Sequence, residues 1–256
     1  MSGEPGPQPA ASASPQPGAS PAPADDAAWR AQAAHSIRHP LALTLLVLTF
    51  STGLVDAVCY LGLGRVFAAN MTGNIVLLGF GVAGAGGLPV LAPLVSLGAF
   101  VLGAGTGGAL ARRFSTRHLG HVAGALALEA ILIAAAVVLA LAVSLRPDAA
   151  SGDAVIALLA VAMGVRNATV RRLAVPDLTT TVVTLTLTGL FADSRLAGGS
   201  GTGSARRLAA VATMFAGALT GALLLESSRA LALAAASAAA LLTWAGYTRA
   251  AGARSV

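Results

Sequence analysis

Long apolar runs follow one another along this chain, separated by short segments carrying arginine, proline or glycine. Six of them, at about 41–63, 90–111, 121–145, 154–173, 208–225 and 231–247, approach or exceed the roughly 20 apolar residues a helix needs to cross a bilayer. Two others break the pattern. Residues 66–82 contain Asn70, Thr72 and Asn74, and residues 178–192 contain six threonines within ten positions. A 15-residue helix rises only about 22 Å against a hydrocarbon core near 30 Å. Threonine can return its hydroxyl bond to its own helix, so a plain span is not forbidden. Irregular backbone shielded by protein or lining a wet cavity accounts better for both segments. The pattern therefore predicts an all-α polytopic membrane protein with six spanning helices and two re-entrant or broken helices.

The same pattern recurs along the chain. Asn70, Asn74 and Gly79 map onto Thr180, Thr184 and Gly189 at an offset of 110, and Gly103, Thr106 and Gly107 onto Gly217, Thr220 and Gly221 at 114. Small residues four apart let helix backbones approach closely. Each half, about 40–146 and 153–248, then reads as span, re-entrant element, span, span. Three crossings per half turn the second copy upside down, a transporter and channel signature.

Charge supports that topology. All sixteen basic residues are arginine. With two re-entrant elements, twelve arginines fall on one side of the bilayer and three (Arg65, Arg146 and Arg229) on the other, while Arg166 lies inside a helix end. With eight full spans the count is about eight against seven. Positive loops stay cytoplasmic, so the expectation is a membrane protein with both termini on the cytoplasmic side. Composition agrees: 56% of residues are hydrophobic, 10% charged, and mean hydropathy is +0.79. A net charge of +6 does not indicate nucleic acid, because the arginines sit singly or in pairs at apolar boundaries. Residues 1–34 hold seven of the twelve prolines, cannot build a core and are expected to be a disordered cytoplasmic tail. Residues 35–248 form the membrane domain, and 249–256 a second short cytoplasmic tail.

The polar residues inside apolar stretches are the candidates for chemistry. Asp56 sits within the first span, where a charge is costly and so faces the protein interior. It is either a proton or cation site, or an acceptor for donors of the neighbouring re-entrant element. Its repeat counterpart is Asn167. Beside it, Arg166 either pairs with an acid or extends to the interface. The string Ala69-Asn70-Met71-Thr72-Gly73-Asn74 suits coordination of a small polar solute or ion, or else serves as a helix-entry cap with close packing at Gly73. Glu129 is a further interior candidate. Cys59, the lone cysteine, allows no internal disulfide. His118 and His121 lack ligand partners at metal-binding spacing, so no metal or other cofactor is expected, and no catalytic constellation marks an enzyme.

Gly53-Leu54-Val55-Asp56-Ala57 followed by Val66-Phe67-Ala68-Ala69-Asn70-Met71-Thr72-Gly73-Asn74 resembles the first signature of the YoaK-like family of bacterial membrane proteins. Met163-Gly164-Val165-Arg166-Asn167-Ala168 and Thr180-Thr181-Val182-Val183-Thr184 resemble its second. The likeness covers about residues 40–248 and implies a six-span inner-membrane protein.

Two functional expectations remain. In one, the protein is a small-solute transporter or channel lined by Asp56, Asn70, Thr72, Asn74, Asn167, Thr180, Thr181 and Thr184. In the other, it is a membrane scaffold or regulatory subunit whose polar groups only join helices. The lipid bilayer is a partner in both, and homo-oligomerisation is left open.

Overall fold

The computed structural model describes residues 39–113, 118–143, 149–173 and 183–252. The described residues fold into helices without a strand. Among the described residues, six helices are long and apolar enough to cross a membrane. The first, α1, runs Pro40–Ala57 and continues as a π-helical segment, Val58–Gly64. Pro40 opens it at a position where the missing N–H costs nothing, and the His39 ring accepts from Leu41 N at 3.2 Å. The other five spans are α3 (Leu91–Arg113), α4 (His118–Ala142), α5 (Ala150–Leu173), α7 (Ser204–Ser227) and α8 (Arg229–Gly252).

Between them lie two short apolar helices, α2 (Met71–Val82) and α6 (Val183–Ala192). With 12 and 10 residues they reach about 18 and 15 Å, well short of a hydrocarbon core. Each is followed by a single 3₁₀ turn, Ala85–Gly87 or Arg195–Ala197, before the next long helix begins.

The most buried spans are α1 and α5, each with more than half of its apolar stretch covered by the rest of the protein. Large apolar side chains such as Leu61, Val101, Leu102, Ile131, Phe215 and Leu242 point outward, as on a surface wetted by lipid.

Packing follows a crossed scheme. Helix α1 packs most extensively on α7, and α5 on α3; α4 and α8 pack on each other, α4 also on α5 and α8 also on α1. The two strongest contacts are made the same way. A Cβ at Gly217 would overlap the Phe50 carbonyl, and one at Gly103 would overlap the Val161 carbonyl. From the other side, a Cβ at Gly53 would strike Met214 O, and one at Gly164 would strike Phe100 O. One turn on, Gly221 meets Leu54 O at 2.9 Å and Gly107 meets Val165 O at 3.0 Å, again measured from an added Cβ. Only glycine allows backbones this close. Corresponding residues are spaced by 111 (Phe50 and Val161, Gly53 and Gly164, Leu54 and Val165) or 114 (Gly103 and Gly217, Met214 and Phe100). By contrast, α1 and α5 touch each other at only a few positions.

Candidate functional site

The polar residues of the first half gather where the chain leaves α1. The π-helical end widens the helix, Arg65 adopts a left-handed backbone conformation (φ 51°), and residues 66–70 run back toward α2 without regular structure. Buried amides with no helical partner are costly in a membrane protein. Asp56 meets two of them, its Oδ1 accepting from Ala68 N and Ala69 N at 2.8 Å each. Asn74 takes the next residue as a second strand would: its Oδ1 accepts from Phe67 N at 2.8 Å, and its Nδ2 donates to Phe67 O at 2.7 Å. Ser96 on α3 closes the unit, donating to Phe67 O at 2.6 Å and accepting from Asn74 Nδ2 at 3.1 Å. Asn70 caps α2 by accepting from Gly73 N at 3.2 Å. Gly73 is small because the Phe67 ring lies where its Cβ would be, and that ring stacks on Tyr60 with centroids 5.0 Å apart.

The other expected site residues divide. Asn70, Thr72 and Thr184 are exposed on the short helices or their caps. Asn167 is half-buried and donates to Met163 O of its own helix at 2.8 Å. Thr180 and Thr181 lie outside the described residues. The second half is braced differently. Arg207 of α7 donates through Nη1 to Gly189 O and pairs through Nη2 with Asp193 at 2.8 Å, holding the far end of α6.

A second polar centre lies between α1, α4 and α5. Arg166 and Glu129 are each 1% exposed and form an ion pair through Nη2 and Oε1. Arg166 does not extend to the surface. Its Nη1 donates to Leu48 O and Thr52 Oγ1, both at 2.8 Å, and its Nη2 also donates to Ser51 Oγ at 3.1 Å. Glu129 Oε2 and Arg166 Nε have no hydrogen-bond partner within the described structure. Both side chains line a cavity that reaches Leu41 and Leu173 at the ends of α1 and α5. Its free space suits on the order of one water molecule rather than a solute.

Sequence reasoning left Arg166 between pairing with an acid and extending to the interface, and Glu129 as an interior candidate, but did not join them. They are 37 residues apart. The available signal was charge balance: a buried arginine requires a buried acid, and Glu129 is the only acid within α4.

Among the described residues, no cluster of three His, Cys, Asp or Glu side chains could hold a metal ion.

A model of the family described as "Protein of unknown function (DUF1275)" matches residues 44–246, most of the chain. The chain belongs to this family. Over 152 residues it is 34% identical to the UPF0700 transmembrane protein YoaK of Bacillus subtilis (strain 168), an alignment covering 59% of this chain. The aligned part spans 65% of that relative's length. No solved structure matches. Asp56, Asn74, Glu129 and Arg166 all fall within the matched region.

Proposed function

We propose that this protein is a non-enzymatic transporter or channel for a small polar solute or ion. It would sit in the bacterial cell membrane with both termini cytoplasmic and its two halves inverted. One observation carries the reading. The contact of α1 with α7 repeats that of α5 with α3, glycine for glycine and carbonyl for carbonyl, with a short helix in the same slot of each half. An exchange-symmetric contact set of this kind is what two inverted copies produce when they interlock, and interrupted helices at matching positions line the pathways of such proteins.

Within this reading the polar groups have different tasks. Asp56, Asn74 and Ser96 brace the returning segment before α2, so they position the pathway wall rather than face a solute. Thr72 and Thr184, with the exposed side of Asn70, would meet it at the short helices. The interior charge pair Glu129–Arg166 stands between the crossed helix pairs and is the centre past which a pathway would run.

Flux into liposomes across a panel of small polar solutes and ions tests the proposal. The expected result is uptake of at least one solute, reduced more than tenfold by Arg166→Gln. Absence of uptake for the whole panel would count against transport.

A scaffold or regulatory role is the second reading, and it has its own support. The bonding groups of Asn74 and the donors around Asp56 are spent inside the protein. If Asn74→Ala lowers the melting temperature while leaving uptake per folded molecule unchanged, those residues are structural whichever reading holds.

A further inference from the structure

Parallel packing sorts the charges of the bundle between its two ends. Gly103 and Gly107 of α3 meet Val161 and Val165 of α5 in the same order, so these helices run the same way and their last turns lie together. Gly217 and Gly221 of α7 meet Phe50 and Leu54 of α1 in the same order, which sets the first turns of that pair level with each other. A cavity lined by Leu41, Val122, Leu173 and Tyr247 gathers the starts of α1 and α4 and the ends of α5 and α8 at one end of the bundle. That end carries Arg206 and Arg207 at the start of α7, Arg249 at the end of α8, and the last turns of α3 and α5. At the opposite end Gly62 lies against Arg229, and among the described residues Arg65 and Arg229 are balanced there by Asp153 and Glu226.

Four arginines of the basic end form one patch. Arg112 and Arg113 close α3, and Arg171 and Arg172 close α5, within two turns of the Gly107–Val165 contact. All four are exposed. The ion pairs among the described residues lie elsewhere, between Arg166 and Glu129 and between Arg207 and Asp193. A helix C-terminus carries about half a negative charge, so the two helix ends together offset about one of the patch's positive charges. Helix α3 is one of the least covered spans, and Val101 and Leu102 on it are exposed. Its 23 residues rise about 34 Å, enough to cross a hydrocarbon core near 30 Å and set its basic end among headgroups.

We propose that this patch binds the phosphodiester headgroups of anionic phospholipid, with the acyl chains lying along the exposed face of α3. Guanidinium groups donate paired hydrogen bonds to phosphate oxygens, a fit that lysine does not reproduce. A soluble phosphate ester would bring the same charge but nothing to cover the apolar face that the arginines crown. Basic residues also set orientation, but that role depends on the summed charge of a side, and Arg206, Arg207 and Arg249 supply it without the patch. The site does not depend on whether the protein carries a solute.

The test uses the full chain in nanodiscs of equal parts phosphatidylglycerol and phosphatidylcholine, extracted into mild detergent and weighed by native mass spectrometry. The parent is expected to retain phosphatidylglycerol in preference to phosphatidylcholine. Titrating phosphatidylglycerol into delipidated protein then gives affinities. Changing all four arginines, Arg112→Gln, Arg113→Gln, Arg171→Gln and Arg172→Gln, should weaken binding at least about tenfold. Two charge-matched double variants separate a site from bulk charge. Arg113→Gln with Arg171→Gln should weaken binding several-fold, whereas Arg195→Gln with Arg249→Gln should leave it near the parent's value. Equal losses in the two doubles would overturn the patch as a site, as would a parent that retains both lipids alike. Release of the retained lipid by excess glycerophosphate would assign the arginines to a soluble ligand and overturn the lipid reading. Should the fourfold variant fail to fold, the two doubles decide.

Discussion

Asn74 shows how a single side chain holds an irregular segment inside an apolar protein. Its amide pairs with both backbone groups of Phe67, and no other residue type offers a donor and an acceptor in that geometry at that length. Asn74→Ala should therefore cost about 1–3 kcal/mol for each buried group left unsatisfied, seen as a lower melting temperature, with Asn74→Gln failing to restore it. The Glu129–Arg166 pair makes a sharper prediction. Removing one partner, as in Glu129→Met, leaves a buried unpaired charge and should destabilise by about 3–5 kcal/mol. The double variant with Arg166→Met should be more stable than either single one. If the three variants melt additively, the pair is not coupled in the way the geometry requires. At this scale the sequence was only half legible. Asp56 and Asn74 stood out because polarity in an apolar run is visible. Whether they face a solute or a backbone depended on where residues 66–70 lie, and no local pattern encodes that.

Elements obey simpler rules, and those rules reach further. Apolar length predicted the six spans and singled out the two short helices. The observed bounds differ from the sequence reading by a few residues, mostly because polar ends such as Ser204 and Gly252 continue helices beyond their apolar cores. Glycines recurring in the same slot predicted close approach, but not which helix approaches which. The structure pairs each glycine helix with the opposite half, because backbone carbonyls of α1 and α5 occupy the grooves that Gly217, Gly221, Gly103 and Gly107 leave open. Gly103→Ala and Gly217→Ala should accordingly be equivalent, each destabilising by about 1–3 kcal/mol through overpacking. Gly105→Ala, with nothing within 4 Å of its Cβ, should melt like the parent or above it. Unequal effects of the first two, or a large effect of the third, would contradict the crossed packing.

For the whole molecule the decisive question is orientation. The inverted reading puts the turn after α2 and the turn after α6 on opposite sides of the membrane. In the Cys59→Ala background, Ala85→Cys should react with an impermeant thiol reagent added outside intact cells, and Ser200→Cys only after the cells are opened. Both positions are exposed in the fold, so access is governed by the membrane alone. Labelling of both from outside would remove the inverted arrangement and the pathway built on it.

The all-α membrane class and the number of helices long enough to span were legible in the sequence alone. They follow from summed apolar length and periodicity, which are additive along the chain and survive without knowledge of any contact. The pairing of α1 with α7 and of α5 with α3, and the meeting of Arg166 with Glu129 across 37 residues, were decided only by the tertiary structure. A buried charge finds whatever partner the packing brings within reach, and packing is settled by all the helices together.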